Sequence, residues 1–154
     1  MRLNQASDFA LRVLVFVASN DSELSKIDDI SKRYNISRAH LMKIVNKLAR
    51  AELLQTVRGR NGGLRLNLPP EDISIGDVVR VIEEDFALVE CMRGPENNKC
   101  IITPACRLAG IVDQALKEFM AVLDRHTLAD ITQNRNQLQN ILFARVIARE
   151  KIKE

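Results

Sequence analysis

The chain is expected to be mainly α-helical with one small β-hairpin: a winged helix-turn-helix followed by a long dimerisation helix. Three observations lead there. A short helix, a tight turn and a longer basic helix follow one another over residues 27–51, and a glycine-rich hairpin carrying arginines follows over 53–68. A broad apolar stripe then runs from 104 to 124 with little remaining chain to cover it. The first two features are those of a helix-turn-helix with a wing, whose second helix enters the major groove of DNA. The third calls for a twin subunit. The chain accordingly divides into a DNA-binding domain over 1–85, a loop over 86–103, and a dimerisation helix with C-terminal segment over 104–154.

Residues 4–19 predict a helix, because Ala6, Phe9, Ala10, Val13, Leu14 and Val17 recur at three- and four-residue spacing. Asp8 lies off that stripe and Arg12 follows four residues later, the spacing of a surface ion pair. Asn20, Asp21 and Ser22 end the helix. Ile27 to Tyr34 forms a second, short helix, and Asn35-Ile36 a tight turn. Ser37 caps a third helix running to about Ala51. Its apolar face is Leu41, Ile44, Val45 and Leu48, while Lys43, Asn46 and Arg50 lie opposite, flanked by His40, Met42 and Lys47. Ser37, Arg38, His40, Lys43 and Asn46 are therefore the candidates to meet bases and the phosphates beside them.

Residues 53–57 and 64–68 read as strands joined by Arg58-Gly59-Arg60-Asn61-Gly62-Gly63. Asn-Gly-Gly is expected to supply the positive-φ residues of the tip. Arg58 and Arg60 are placed to reach phosphate or the minor groove. A nucleotide-binding loop is discounted, because a strand and not a helix follows these glycines. Pro69-Pro70 ends the hairpin, and a helix from Ser74 or Ile75 to about Glu84 carries Val78, Val79, Val81 and Ile82. The long helix follows from Pro104 to about Asp124, its stripe including Leu108, Ile111, Leu116, Phe119, Met120 and Leu123. His126 suits the negative end of its dipole, and Thr127 opens a short helical turn. From Asn134 onward the sequence allows either a last helix or a frayed tail.

Charge separates the two ends. Residues 1–67 hold 12 Lys/Arg against 6 Asp/Glu, whereas residues 68–154 hold 11 against 14. A basic module joined to an acidic remainder fits double-stranded DNA as the partner of the first part. No stretch reaches the ~20 apolar residues of a membrane span. With no export signal and few cysteines, the protein reads as cytoplasmic and not membrane-bound. No convergent acid/base set marks an enzyme.

All three cysteines, Cys91, Cys100 and Cys106, fall within sixteen consecutive residues, separated by eight and then five others. An odd number cannot be fully paired within one chain. Gly94 to Asn98 is turn-rich and can wrap a compact object. Thr103-Pro104 reads as a helix start, which places Cys106 in the first helical turn, where a thiolate is stabilised. Three soft ligands suit an iron–sulfur cluster or zinc; three structural cysteines are the bland alternative.

Together these features resemble the dimeric Rrf-type winged-helix repressors of bacteria. The resemblance is carried by Asp8 with Ala10-Leu11-Arg12, Ile36-Ser37 with His40-Leu41, and Val57-Arg58-Gly59 with Gly62-Gly63. It continues through Glu90-Cys91, Cys100 to Leu108, and Thr127 to Asp130. It implies a homodimer in which Cys91, Cys100 and Cys106 hold an iron–sulfur cluster, [4Fe-4S] by preference and [2Fe-2S] otherwise. The branch that regulates cluster assembly takes a histidine three residues past the last cysteine, where this chain has Ala109. The nitric-oxide-sensing branch uses an N-terminal aspartate from the other subunit, and Asp8 occupies the matching place. The implied function is a repressor that loses its operator when nitric oxide damages the cluster. The eight-residue first spacing also resembles iron-responsive members, and a small iron–sulfur electron carrier is the alternative of another class.

Overall fold

The computed structural model describes residues 3–20 and 24–143. Seven α-helices and one two-stranded antiparallel sheet make up its regular structure: α1 (Gln5–Ser19), α2 (Ile27–Tyr34), α3 (Arg38–Arg50), β1 (Leu54–Val57), β2 (Gly63–Leu66), α4 (Ile75–Ile82), α5 (Leu108–Asp124), α6 (Leu128–Ile131) and α7 (Arg135–Phe143). The mainly helical class with a hairpin wing is what the sequence pattern leads one to expect.

Helix starts follow local chemistry. Asn4, Ser37 and Ser74 each accept a hydrogen bond from a backbone N–H in the first turn of α1, α3 and α4. Thr127 and Asp130 close a reciprocal capping box on α6. Asn35 ends α2 in the left-handed conformation, at φ 53° and ψ 45°, and so turns the chain directly into α3.

The core forms where the apolar faces of α1, α3 and α4 meet. Val13, Leu14, Leu41, Leu48, Val78 and Ile82 are all at most 1% exposed. β1 pairs with β2 in the register Leu54–Leu66 to Val57–Gly63. A further bridge joins Ser25 to Leu64 on the other side of β2, with hydrogen bonds of 2.9 and 2.8 Å. The wing is thus fixed to the segment before α2 as well as to β1. That bridge explains Gly63, since a Cβ there would lie 2.8 Å from the Ser25 carbonyl oxygen.

Two sequence expectations are corrected. The positive φ at the wing tip belongs to Gly59 (φ 109°) and not to Asn61-Gly62-Gly63. The later glycines are there because the backbone folds tightly on itself and on Ser25. The long helix starts at Leu108, not at Pro104, so Cys106 precedes it instead of lying in its first turn. The cause is local: the Thr103 hydroxyl donates to the Cys100 carbonyl (2.8 Å) and receives the Asn98 amide (3.0 Å), so it does not cap a helix.

The C-terminal segment returns to the first domain. Leu128 and Leu142 are buried in the same core as α1, and the Phe143 ring meets Phe16 at 4.9 Å. The Gln139 amide donates to the Ser19 carbonyl, and of the two alternatives the sequence left open, a helix forms over Arg135–Phe143. Val146 and Ile147, counted with that helix or tail, lie outside the described residues. So do Asp21 and Ser22, two of the residues expected to end α1. Leu128→Ala is expected to cost about 2–5 kcal/mol in denaturant unfolding, whereas Ile141→Ala, on a side chain 66% exposed, should cost under about 0.5 kcal/mol.

The face of α5 is different. Leu108 and Ile111 are 54% and 64% exposed, and Met120, still 8% exposed, is the one buried residue of this helix. The rest of the described chain leaves the Leu108 and Ile111 end of this stripe open and covers Leu116, Phe119 and Leu123 only in part.

Candidate nucleic-acid interface and cysteine loop

The helix α3 and the β1–β2 hairpin line one open groove. Arg38 and Asn46 of α3 face it from one side and Arg58 and Arg60 of the wing from the other. All four are exposed. Lys43 is exposed on α3 but is not part of the groove lining. Ser37 is occupied in capping, 3.3 Å from the His40 N–H. The His40 ring stands edge-on to Phe9 of α1 at 5.6 Å, so it lies toward the α1 side of the helix. Two groove residues escaped the sequence reading. Lys26, at the N-cap of α2, adds a cation, and Asp28 forms an ion pair with Arg38 at 3.0 Å. Lys26 had a visible signal, a basic residue just ahead of the helix-turn-helix. The Asp28–Arg38 pair spans the turn between two helices and had none.

Chemically, the groove can do what a DNA-binding surface must. Lysine and arginine on an exposed concave face bind phosphates, and a capped helix N-terminus adds unpaired backbone N–H groups.

The three thiols sit together in sequence but not in space. Cys91, Cys100 and Cys106 are free and half-buried. Among the described residues, no three His, Cys, Asp or Glu side chains are gathered so as to hold a metal. The loop is nonetheless ordered by its own polar groups. Two 3₁₀ turns, Glu90–Met92 and Pro95–Asn97, flank Gly94, whose φ is 84°. Glu90 accepts from the Lys99 N–H at 2.6 Å, and Asn98 accepts from the Cys100 N–H at 3.0 Å. The donor set fits an iron–sulfur group in kind, because all three thiols are soft ligands uncommitted to a disulfide.

Three consecutive acids after α4 connect this loop to the DNA-binding elements. The Glu83 carboxylate accepts from the Asn4 N–H and side-chain amide, both at 2.7 Å, and from the Ser7 hydroxyl at 2.9 Å. Glu84 takes Lys47 of α3 at 2.6 Å, and that ammonium holds the Glu84 carboxyl below its usual range. Asp85 pairs with Arg93 of the cysteine loop at 3.5 Å. The start of α1, the reading helix and the loop are therefore attached to one tripeptide. A second tie joins α4 to α5, where Arg80 holds Asp124 through two hydrogen bonds of 2.6 and 2.7 Å. That contact lowers the Asp124 pKa and raises that of Arg80.

Asp8 is engaged within its own chain. Arg12 meets its carboxylate at 2.7 Å, and the guanidinium carbon also lies 5.8 and 5.9 Å from the Phe9 and Tyr34 rings. Burial raises the pKa of Tyr34, so its hydroxyl stays protonated beside this cation.

A hairpin wing beside a capped, basic second helix defines a winged-helix DNA-binding protein. Residues 3–134 match the Rrf2 family model, described as an iron-dependent transcriptional regulator, and the chain belongs to that family. It is a transcriptional regulator and not an enzyme. It is 46% identical to the HTH-type transcriptional regulator NsrR of Bacillus licheniformis, over 92% of this chain and 99% of that one. The NsrR of Bacillus subtilis is 43% identical over 92% of this chain and 97% of its own length. Among solved structures, the global cysteine regulator CymR of B. subtilis superposes with a TM-score of 0.65 at 27% identity, covering 87% of this chain and 98% of that one. None of the described helices is long and apolar enough to cross a membrane.

Proposed function

We propose that this protein is a homodimeric, cytoplasmic repressor that binds double-stranded operator DNA and releases it in response to nitric oxide. The observation that carries the reading is the loop 91–106: it holds every cysteine of the chain, free and half-buried, beside a DNA-binding domain. Relatives named NsrR over nearly the full chain support it.

Cys91, Cys100 and Cys106 hold an iron–sulfur cluster, [4Fe-4S] or [2Fe-2S], with Asp8 of the partner subunit as a further ligand. When bound, the cluster supplies iron with which nitric oxide reacts. The protein's own residues do the rest. Each α5 covers the exposed stripe of the other, which fixes the distance between two reading helices. Arg38, His40, Lys43 and Asn46 meet the major groove with Ser37 as cap, and Arg58 and Arg60 grip phosphate or the minor groove. Arg93, through Asp85 and the adjoining Glu84, ties the loop that would hold the cluster to Lys47 at the end of α3. To serve as that ligand, the Asp8 carboxylate would have to exchange Arg12 for the group held by the other subunit's loop.

The family's description as iron-dependent favours a second reading, a regulator of the same build that responds to iron supply. Nitric-oxide titration of protein purified without air, with operator binding followed alongside, distinguishes them. Loss of operator at a few equivalents of nitric oxide is expected; insensitivity to nitric oxide with loss on iron chelation would establish the second reading instead.

A further inference from the structure

The groove between α3 and the wing carries a single acid among its charged lining residues. Lys26, Arg38, Arg58 and Arg60 are the cations and Asp28 the anion. Placed against a polyanion with one charge per ~1.7 Å, a carboxylate weakens binding to every sequence alike. Part of its presence is accounted for by helix chemistry, because Asp28 and Asp29 occupy the first turn of α2. The dipole does not separate the two, however, and only Asp28 lines the groove.

What sets Asp28 apart is its contact. Its Oδ1 lies 3.0 Å from Nη1 of Arg38, the first residue of α3. The first residues of a reading helix are those that meet base edges. A guanidinium presents five N–H donors in a rigid fork. With Nη1 paired to Asp28, the opposite edge, formed by Nε–H and Nη2–H, remains to take a partner, and the ion pair restrains where that edge can lie. Two parallel N–H donors match the N7 and O6 acceptors of guanine. The pair is open to such a partner, the two side chains being 66% and 55% exposed.

We infer that Asp28 is a positioning residue for sequence reading: it holds the Arg38 guanidinium for a guanine edge and discourages the same group from gripping any nearby phosphate. The inference rests on α3 being the helix that enters DNA. Its two effects act in one direction. Removing the carboxylate frees Arg38 to rotate, which weakens the base contact, and it also removes one repulsion from the DNA backbone, which strengthens binding without regard to sequence.

The test uses the full-length protein purified without air and a binding site selected by it from a pool of randomised duplexes. Wild type, Asp28→Asn, Asp28→Ser, Arg38→Ala and Asp29→Asn are compared on the selected site, on its single-base-pair variants and on a random duplex, at several salt concentrations. One G·C pair per half-site should cost the wild type about tenfold when replaced. Asp28→Asn and Asp28→Ser should shrink that penalty to under about threefold while binding to the random duplex rises roughly threefold. Arg38→Ala should abolish the penalty at the same pair, and adding Asp28→Asn to it should change nothing further there. Asp29→Asn, which touches α2 in the same turn, should leave every penalty in place. A full penalty retained in both Asp28 variants, or one untouched by Arg38→Ala, overturns the inference while leaving DNA binding by α3 intact. If the wild type selects no sequence at all, the reading of α3 fails, and this inference with it.

Discussion

Replacing Cys91, Cys100 and Cys106 together by serine is expected to yield a folded protein that has lost its iron and its regulated grip on DNA. Serine oxygen is a hard, weakly binding substitute for thiolate, so the soft donor set disappears. None of the three side chains belongs to the hydrophobic core. The melting temperature and helical content of the metal-free proteins should therefore agree within a few degrees. Operator affinity should fall by roughly 5- to 150-fold relative to cluster-loaded wild type, the range of typical coupling between two sites. The residual affinity should no longer respond to nitric oxide. Iron analysis and DNA titration on the same preparation check both halves; a serine variant that binds its operator as tightly as the loaded wild type would separate the loop from regulation.

The second large effect belongs to the wing. Arg58→Ala with Arg60→Ala removes two exposed cations from one side of the groove and nothing from the core. Phosphate contacts release counterions, so the slope of log affinity against log salt should become shallower by about two. Affinity should drop by about tenfold or more near 50 mM salt, for operator and random duplex alike. Loss confined to the operator would mean that these arginines read bases; an unchanged slope would mean that they touch no DNA.

Sequence reading succeeded where structure is settled within a few residues. The caps at Ser37, Ser74 and Thr127 are such cases, each satisfied by a backbone N–H within the next turn. So is the tight turn at Asn35-Ile36 between the two helices of the motif, where the structure adds that Asn35 is left-handed. Reading failed where another group had already taken the same atom, or where a contact crosses many positions of sequence. Thr103 looked like a helix cap, but Asn98 and the Cys100 carbonyl had already taken its hydroxyl. Positive φ was expected of Asn61-Gly62-Gly63, yet in the wing it belongs to Gly59, while Gly63 is held close to Ser25, 38 positions earlier. Lys47 was legible as a basic residue near the reading face, but its contact with Glu84 crosses 37 positions of sequence. Asp28 likewise gave no sign of reaching Arg38 across the turn. The cysteines stood out by clustering alone, and the structure adds the acidic tripeptide that attaches their loop to α3.

The claim on which the rest depends is that the loop 91–106 holds an iron–sulfur cluster, and it is tested most directly by iron and acid-labile sulfide in full-length protein purified without air. About four of each per chain, with visible absorbance that vanishes in the triple serine variant, is the expected result; about two of each would mean the smaller cluster. Colourless, iron-free protein that still binds its operator with full affinity would contradict the account.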